Sequence, residues 1–165
     1  MAKITDINEV LGMKLKGLYD MEKEIEVALP DMEDAATNPK LKEGFQMHLI
    51  ETRAQITRLE EAFEIIGMEP DIKPHEGIRG IITDGSEVAA MAMSPEIKDA
   101  MLAGAARHVE HYEMAAYMGA VGIAQAAGRD DVGQLLMKNL AEEMAADEKL
   151  KMIAQESLGM LAMKK

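Results

Sequence analysis

The sequence contains no cysteine and no tryptophan, and only 3% of its residues are aromatic. The lack of cysteine excludes disulfides, cysteine–zinc sites, iron–sulfur clusters and thiol chemistry, and it favours the cytoplasm as the compartment. The first residues, Met1 to Asp6, contain no apolar segment of the signal-peptide type, and no run of about 18 apolar residues occurs in the chain. We therefore expect neither secretion nor a membrane-spanning segment.

Positive charge is also scarce. Lys and Arg total 18 against 30 Asp and Glu, which gives a formal net charge of −12. This balance argues against electrostatic binding of nucleic acid or of an anionic membrane surface, whereas it suits a protein that attracts cations. The sequence also lacks the P-loop, the nucleophile-elbow and the Rossmann glycine motifs, so nucleotide binding and serine hydrolysis have no support.

The abundant residues are Ala, Met, Leu, Glu and Lys, which are strong helix formers. The residues on which strands depend, Val, Ile, Tyr and Phe, are scarce by comparison. A chain of 165 residues is long enough to bury one substantial core. The composition therefore predicts a single all-α domain over residues 1–165.

Helix boundaries can be read from caps and stops. Asn38 and Ser94 each precede a proline, which is the pattern of an N-cap followed by proline at the first helical position. Gly67 and Gly128 follow apolar stripes and are the expected C-terminal stops. Pro30 falls within the first stripe and is expected to kink that helix. The pattern predicts long helices over about 6–36, 39–66, 95–127 and 130–158, and a short helix over about 76–92.

The lengths of the connections predict the topology. Tight turns join the first two long helices and the last two, so each pair is expected to be an antiparallel hairpin. About 28 residues, including the short helix, separate the two hairpins. Two hairpins with a long crossover are typical of a ferritin-like four-helix bundle.

Methionine, glycine and tyrosine carry further predictions. The 16 methionines are interpreted as core filler in preference to a methionine-rich copper site, because Met is flexible and favours helices. Gly104, Gly119 and Gly122 predict close helix packing, including a subunit contact. Three tyrosines are candidates for hydrogen bonds to the site or for radical transfer: Tyr19, Tyr112 and Tyr117.

Acidic residues interrupt the apolar face of every long helix. Each lies toward the middle of its helix, and one histidine accompanies them on the second helix. Because the inward faces of a bundle meet at its axis, these side chains are predicted to converge. The candidate set is Glu22 on the first helix, His48 and Glu51 on the second, Glu110 and Glu113 on the third, and Glu143 and Asp147 on the fourth.

Such a cluster is costly without compensation. A lone buried carboxylate costs several kcal/mol, and two carboxylates about 5 Å apart repel by roughly 3 kcal/mol at an effective dielectric near 20. Either the acids hold protons or cations lie among them, since Arg107 can neutralise only one. Oxygen ligands with an imidazole suit iron or manganese, and zinc is a further alternative. We therefore expect a site for two metal ions.

Other interpretations remain open. Any single inward acid can be a surface residue whose helical phase is misread, and His48 alone can be an ordinary core histidine. His108 and His111 lie off the Glu110 face and are interpreted as structural or as neighbours of the ligands. The protein can also be a structural or interaction protein with a vestigial cluster that is partly protonated or paired with Arg107. A mineral-storage cage is a third alternative, which no sequence feature favours.

Several segments together indicate a family. The chain resembles the ferritin-like family of YciF/YciE-type bacterial stress proteins over about residues 8–155. The matching segments are LYDME at 18–22, ALP at 28–30, HLIET at 48–52, RHVEHYE at 107–113, and EE at 142–143 followed by DEKL at 147–150.

The resemblance implies a four-helix bundle related to rubrerythrin and ferritin, a homodimer, and a di-metal site formed by the seven candidates. It also implies a link to stress with a poorly defined activity, and our leading hypothesis is a stress-protective reaction of the reduced metal pair with O₂ or peroxide. Two departures from the usual di-iron pattern, Glu-x-x-His on two helices, affect this expectation. Helix two has the reverse order, His48-x-x-Glu51, and helix four has Glu143 and Asp147 but no histidine. Fewer nitrogen ligands favour hard ions and weaken affinity.

Overall fold

The fold consists of helices joined by short connections and one long crossover. In the computed structural model, which describes residues 4–163, there are five helices and no strand. This confirms the predicted all-α fold, including the short helix in the crossover. The helices are α1 (Ile7–Ala35), α2 (Pro39–Ile65), α3 (Glu76–Ala90), α4 (Pro95–Ala126) and α5 (Asp130–Met163).

Side-chain capping explains the starts of α1 and α2. The Asp6 carboxylate accepts a hydrogen bond from the Asn8 backbone N–H at 2.9 Å, and the Asn38 side chain accepts one from the Lys40 N–H at 2.9 Å. These bonds satisfy N–H groups that have no partner within the helix. Ser94 occupies the predicted N-cap of α4 but makes no side-chain capping bond.

Helix ends follow the predicted glycines. Gly67 and Gly128 adopt φ angles of 70° and 68°, a left-handed conformation in which glycine avoids the steric cost of a Cβ atom. The chain continues as helix through Pro30 to Ala35. At the other end of the sequence, α5 starts at Asp130, so Asp130 and Asp131 lie in its first turn. It also extends to Met163, beyond the predicted end near residue 158.

Contacts between helix ends define the topology. The Thr37 backbone N–H and hydroxyl donate to the Asp99 carboxylate at 2.7 and 2.6 Å, so the α1–α2 turn lies beside the start of α4. At the opposite end, Arg129 donates to the backbone oxygen of Ile65 at 2.9 Å, so the α4–α5 turn lies beside the end of α2. Residues 66–94 therefore cross the length of the bundle, as the ferritin-like layout requires. The short helix α3 packs against α1 and α4 on the way.

Leucine, isoleucine, alanine and phenylalanine fill the core, and the interpretation of methionine as core filler is wrong for most positions. Met21 is buried, whereas Met118, Met144 and Met152 are more than half exposed, because the inward positions of the helices are already occupied by other apolar residues. The predicted close packing at three glycines of α4 is also wrong within the described chain. A Cβ atom there would meet no other atom within 4 Å, which holds for Gly104, Gly119 and Gly122.

Among residues 4–163, every helix falls short of the combination of length and apolarity that a bilayer span requires.

Candidate metal centre

The four long helices place acidic side chains at one level in the middle of the bundle. Since each long helix directs its apolar stripe toward the bundle axis, an acid within the stripe is carried into the interior. Six of the seven predicted residues are buried, and five of these six, from four different helices, approach one another there. These five are Glu22 from α1, His48 from α2, Glu110 and Glu113 from α4, and Glu143 from α5.

Four of these side chains meet closely. One ligand atom each of His48, Glu110, Glu113 and Glu143 lies within 4.8 Å of the others. The Nε2 atom of His48 lies 3.5 Å from Glu110 Oε1, 3.9 Å from Glu113 Oε2 and 4.0 Å from Glu143 Oε2. Three carboxylate oxygens thus surround one imidazole nitrogen at distances longer than direct hydrogen bonds.

The buried polar atoms of this cluster lack partners. Within residues 4–163, both ring nitrogens of His48 and both carboxyl oxygens of Glu113 are buried without a hydrogen bond. The same holds for one oxygen each of Glu22, Glu110 and Glu143. Most buried polar atoms in proteins have a partner, so such a concentration in one place needs a physical reason. A cation among the oxygens and the imidazole would satisfy these atoms together, so the residues fit a metal ion.

The acids shift one another's protonation. Burial raises the pKa of Glu22, Glu110 and Glu113 well above the usual range, and repulsion from Glu143 raises these pKa values further. Burial also raises the pKa of Glu143, although the neighbouring His48 opposes that change. Without a cation, the cluster therefore retains protons at a pH where ordinary carboxyl groups have lost them.

Neutral polar side chains around the cluster form hydrogen bonds to the acids or to one another. The Tyr117 hydroxyl donates to Glu22 and accepts a hydrogen bond of 2.9 Å from the Asn139 side-chain amide. On the other side, the Gln55 amide donates to Glu143. Gln55 and Asn139 were missed as functional residues. For Gln55 a signal was available, since it is a polar residue within the apolar stripe of α2.

An ion pair lies beyond this layer. Arg58 on α2 contacts Glu142 on α5 at 2.6 Å and also donates to Asn139. This ion pair joins α2 to α5 next to Gln55 and Glu143, and so it fixes the two helices on which these residues lie.

Glu51 and Asp147 lie at the edge of the cluster. Glu51 is half-buried, with its Oε2 atom 3.9 Å from Nδ1 of His48, and this interaction lowers the pKa of Glu51. Asp147 contacts Arg107 at 2.7 Å and His111 at 3.3 Å. Burial raises the pKa of Asp147, but the interactions with Arg107 and His111 outweigh it, so that the pKa lies below its usual value. The structure therefore does not bring Asp147 into the close group, and its role as a ligand stays a prediction.

Of the three candidate tyrosines, one contacts the cluster and two contact residues outside it. Tyr117 contacts the cluster through Glu22, whereas Tyr19 donates to Glu60 at 2.8 Å. Tyr112 lies 2.6 Å from Nδ1 of His75, a loop histidine to which sequence analysis gave no role. Tyr117 is therefore the tyrosine positioned to influence the ligands.

With this geometry established, comparison with known proteins places the chain. Residues 6–162 match the family described as a domain of unknown function, DUF892. The chain belongs to this family. It is 34% identical to the protein YciF of Escherichia coli strain K12 over 148 residues, which cover 87% of each chain. The predicted YciF-type membership is thereby confirmed.

Solved structures agree with the fold. The crystal structure of the stress protein YciF from E. coli superposes with a TM-score of 0.88 at 33% identity, covering 94% of this chain and 99% of that one. YcfI from Rhodopseudomonas palustris gives a TM-score of 0.87 at 36% identity, covering 90% and 95%. A protein from Xanthomonas campestris pv. campestris, 21% identical with a TM-score of 0.69, shares the fold.

Proposed function

We propose that this protein binds a pair of iron or manganese ions and that the reduced ions react with O₂ or peroxide as a protection against stress. The observation that carries the proposal is the group of buried, unpartnered oxygen and nitrogen atoms contributed by His48 and four glutamates. Oxygen ligands with one imidazole suit hard divalent and trivalent ions of this kind. The similarity to the E. coli stress protein YciF supports the stress-related role. The cytoplasm stays the predicted compartment.

The ligands divide between two positions in this proposal. His48, Glu110, Glu113 and Glu143 would hold one ion, because their ligand atoms are mutually close. Two further carboxylates flank them and would complete the second position. They are Glu22, which is buried beside Glu113, and Glu51, which adjoins His48.

The surrounding residues perform the tasks that such a centre requires of a protein. Gln55 and Tyr117 hold Glu143 and Glu22 in place by donating hydrogen bonds to them. The raised pKa values of the buried glutamates mean that metal binding releases protons, so affinity rises with pH. Bound ions would supply the electrons that reduce the oxidant.

Elemental analysis tests the metal proposal. Full-length protein from cells grown with added iron or manganese should contain about two equivalents per chain. The Glu113→Gln variant should lose most of this metal because it removes a buried ligand. Asp99→Asn is the matched control, and it should retain the metal since this buried carboxylate lies outside the cluster and accepts its hydrogen bonds from Thr37. Wild-type protein that takes up neither ion on titration would contradict the proposal, as would a Glu113→Gln variant with unchanged metal content.

Turnover needs a separate readout. Protein loaded with the reduced ion should consume peroxide faster than the same concentration of free ion, and Glu113→Gln should abolish the difference. Metal binding without faster consumption would leave a metal-binding protein and remove the proposed reaction.

Exposed apolar side chains favour a second role, in assembly. Methionine side chains are flexible and adapt to a partner surface, and several are exposed on α4 and α5. They support the predicted homodimer, and a structural role has been attributed to YcfI. Light scattering after size exclusion should give twice the chain mass. A monomer would contradict the dimer, and a much larger particle would instead indicate a storage cage. The methionines concerned are Met101, Met118, Met137, Met144 and Met152.

A further inference from the structure

An apolar cavity of about 330 Å³ lies beside the cluster. All five helices contribute to its walls, including α3, which packs against α1 and α4. A cavity of this size falls in the range of small-molecule sites. Its walls are mainly aliphatic and aromatic side chains, including Ile25, Leu29, Phe45, Ile82, Val109 and Leu150.

Two buried polar side chains, His48 and Glu110, lie in the wall of the cavity. Both are nearly completely buried. The two ring nitrogens of His48 and the Oε2 atom of Glu110 have no hydrogen-bond partner within the described chain. The cavity therefore combines apolar walls with one donor and acceptor pair that is able to bind a ligand's polar group.

We propose that this cavity binds a linear aliphatic molecule with a neutral polar end group, such as a primary alcohol, with that group against His48 and Glu110. The volume holds about ten non-hydrogen atoms at roughly 30 Å³ each, which corresponds to a chain of about eight to ten carbon atoms. Binding depends on the cavity alone and does not require the proposed metal ions. Where ions are bound, the end group would lie beside them.

Charge selects a neutral end group over a carboxylate. Glu110, Glu51 and Asp31 all line the cavity, against Lys149 as a single cation there. A ligand carboxylate placed near Glu110 would lose its hydration with Lys149 as the single cation in the lining, and burying a poorly paired charge is costly. An alcohol carries no such penalty, and it offers one donor and one acceptor.

Calorimetry with the metal-free full-length protein tests the proposal, with 1-octanol and octanoate as probes. We expect 1-octanol to bind at one site per chain, and octanoate of the same chain length to bind at least about tenfold more weakly. No measurable binding of 1-octanol would overturn the proposal. Equal affinity for octanoate would overturn the neutral end group and with it the placement against Glu110.

Glycine variants locate the binding. Gly44 lines the cavity, and a Cβ atom there would meet no atom within 4 Å, so that Gly44→Leu places a side chain into open space. Gly80→Leu is the matched control, because Gly80 is also helical and equally unobstructed but does not line the cavity. We expect an affinity loss of about tenfold or more for Gly44→Leu and no change for the control. Ala105→Leu, at a second lining position, gives an independent obstruction with the same expected loss.

These measurements also separate the two proposals. If Gly44→Leu and Ala105→Leu leave the affinity for 1-octanol unchanged, the alcohol binds outside the cavity, and the inference is overturned. Metal content determined on the same samples reports on the metal centre independently. Octanol binding by protein that takes up no metal would support the cavity and contradict the metal centre, and the reverse pattern would do the opposite.

Discussion

Replacing Glu113 by leucine should raise the free energy of unfolding of the metal-free protein by about 1–4 kcal/mol. Glu113 is fully buried, neither of its carboxyl oxygens has a hydrogen-bond partner, and Glu110, Glu143 and Glu22 lie around it. Removing it therefore eliminates a desolvated acid and its repulsion, at no cost in native hydrogen bonds. Denaturant unfolding in the presence of a chelator measures the change.

The metal-loaded protein should respond with the opposite sign. An ion that binds only the folded protein stabilises it by about 2.7 kcal/mol at a concentration one hundred times its dissociation constant. Glu113→Leu should forfeit most of that gain. If the substitution destabilises the metal-free protein, the cluster is not strained, and the reason for inferring a cation is lost.

A buried acid outside the cluster serves as the control. Asp99 is also buried, but its carboxylate accepts two hydrogen bonds from Thr37. Asp99→Leu should therefore lower the free energy of unfolding by about 1–3 kcal/mol, because it removes both hydrogen bonds that join the α1–α2 turn to α4. Opposite signs for two buried acids would show that the effect at Glu113 comes from its unpartnered state and not from burial in general.

The stability of the metal-free protein should fall as the pH rises from the ordinary carboxyl range through the raised pKa values of the buried glutamates. Burial and mutual repulsion raise the pKa of Glu22, Glu110 and Glu113 in the folded state. A carboxyl that is protonated when folded and ionised when unfolded makes folding bind a proton. Its stabilising contribution is complete below the unfolded pKa and is lost as the pH rises through the folded pKa. Each such group contributes a slope of up to about 1.4 kcal/mol per pH unit.

Two comparisons check the origin of this slope. The double variant Glu110→Gln and Glu113→Gln should have a flatter dependence, since an amide does not titrate. Saturating metal should flatten it as well, because the ions hold the carboxylates in their charged form. Asp147 does not interfere, since its pKa is lowered by Arg107 and its contribution is lost only at acidic pH. A wild-type profile that rises with pH in the presence of chelator would contradict the account.

The elements that sequence reasoning predicted well are those determined locally. Asn38 caps α2 through its own neighbouring N–H group, and Gly67 and Gly128 end α2 and α4 through their own backbone conformation. The inward orientation of the site was also predictable, because helical periodicity assigns Glu22, His48, Glu113 and Glu143 to inward faces toward the middle of their helices. These inferences need no knowledge of how the helices are aligned with one another.

What the sequence could not establish depends on the alignment between helices. The pairing of Asp147 with Arg107 and His111 joins α5 to α4, and the position of one helix along the other decides it. The role of Asn139 likewise depends on its contact with Tyr117 across the α4–α5 interface. The cavity is a still more distant consequence, since it forms only where all five helices leave a volume unfilled.

Anomalous X-ray scattering from a crystal of the protein loaded with iron or manganese tests the central claim most directly. The account predicts anomalous peaks between His48 and the glutamates of α4 and α5, with a second peak toward Glu22 or Glu51. A crystal in which the ion scatters only from the protein surface, while the buried glutamates remain without it, would contradict the account.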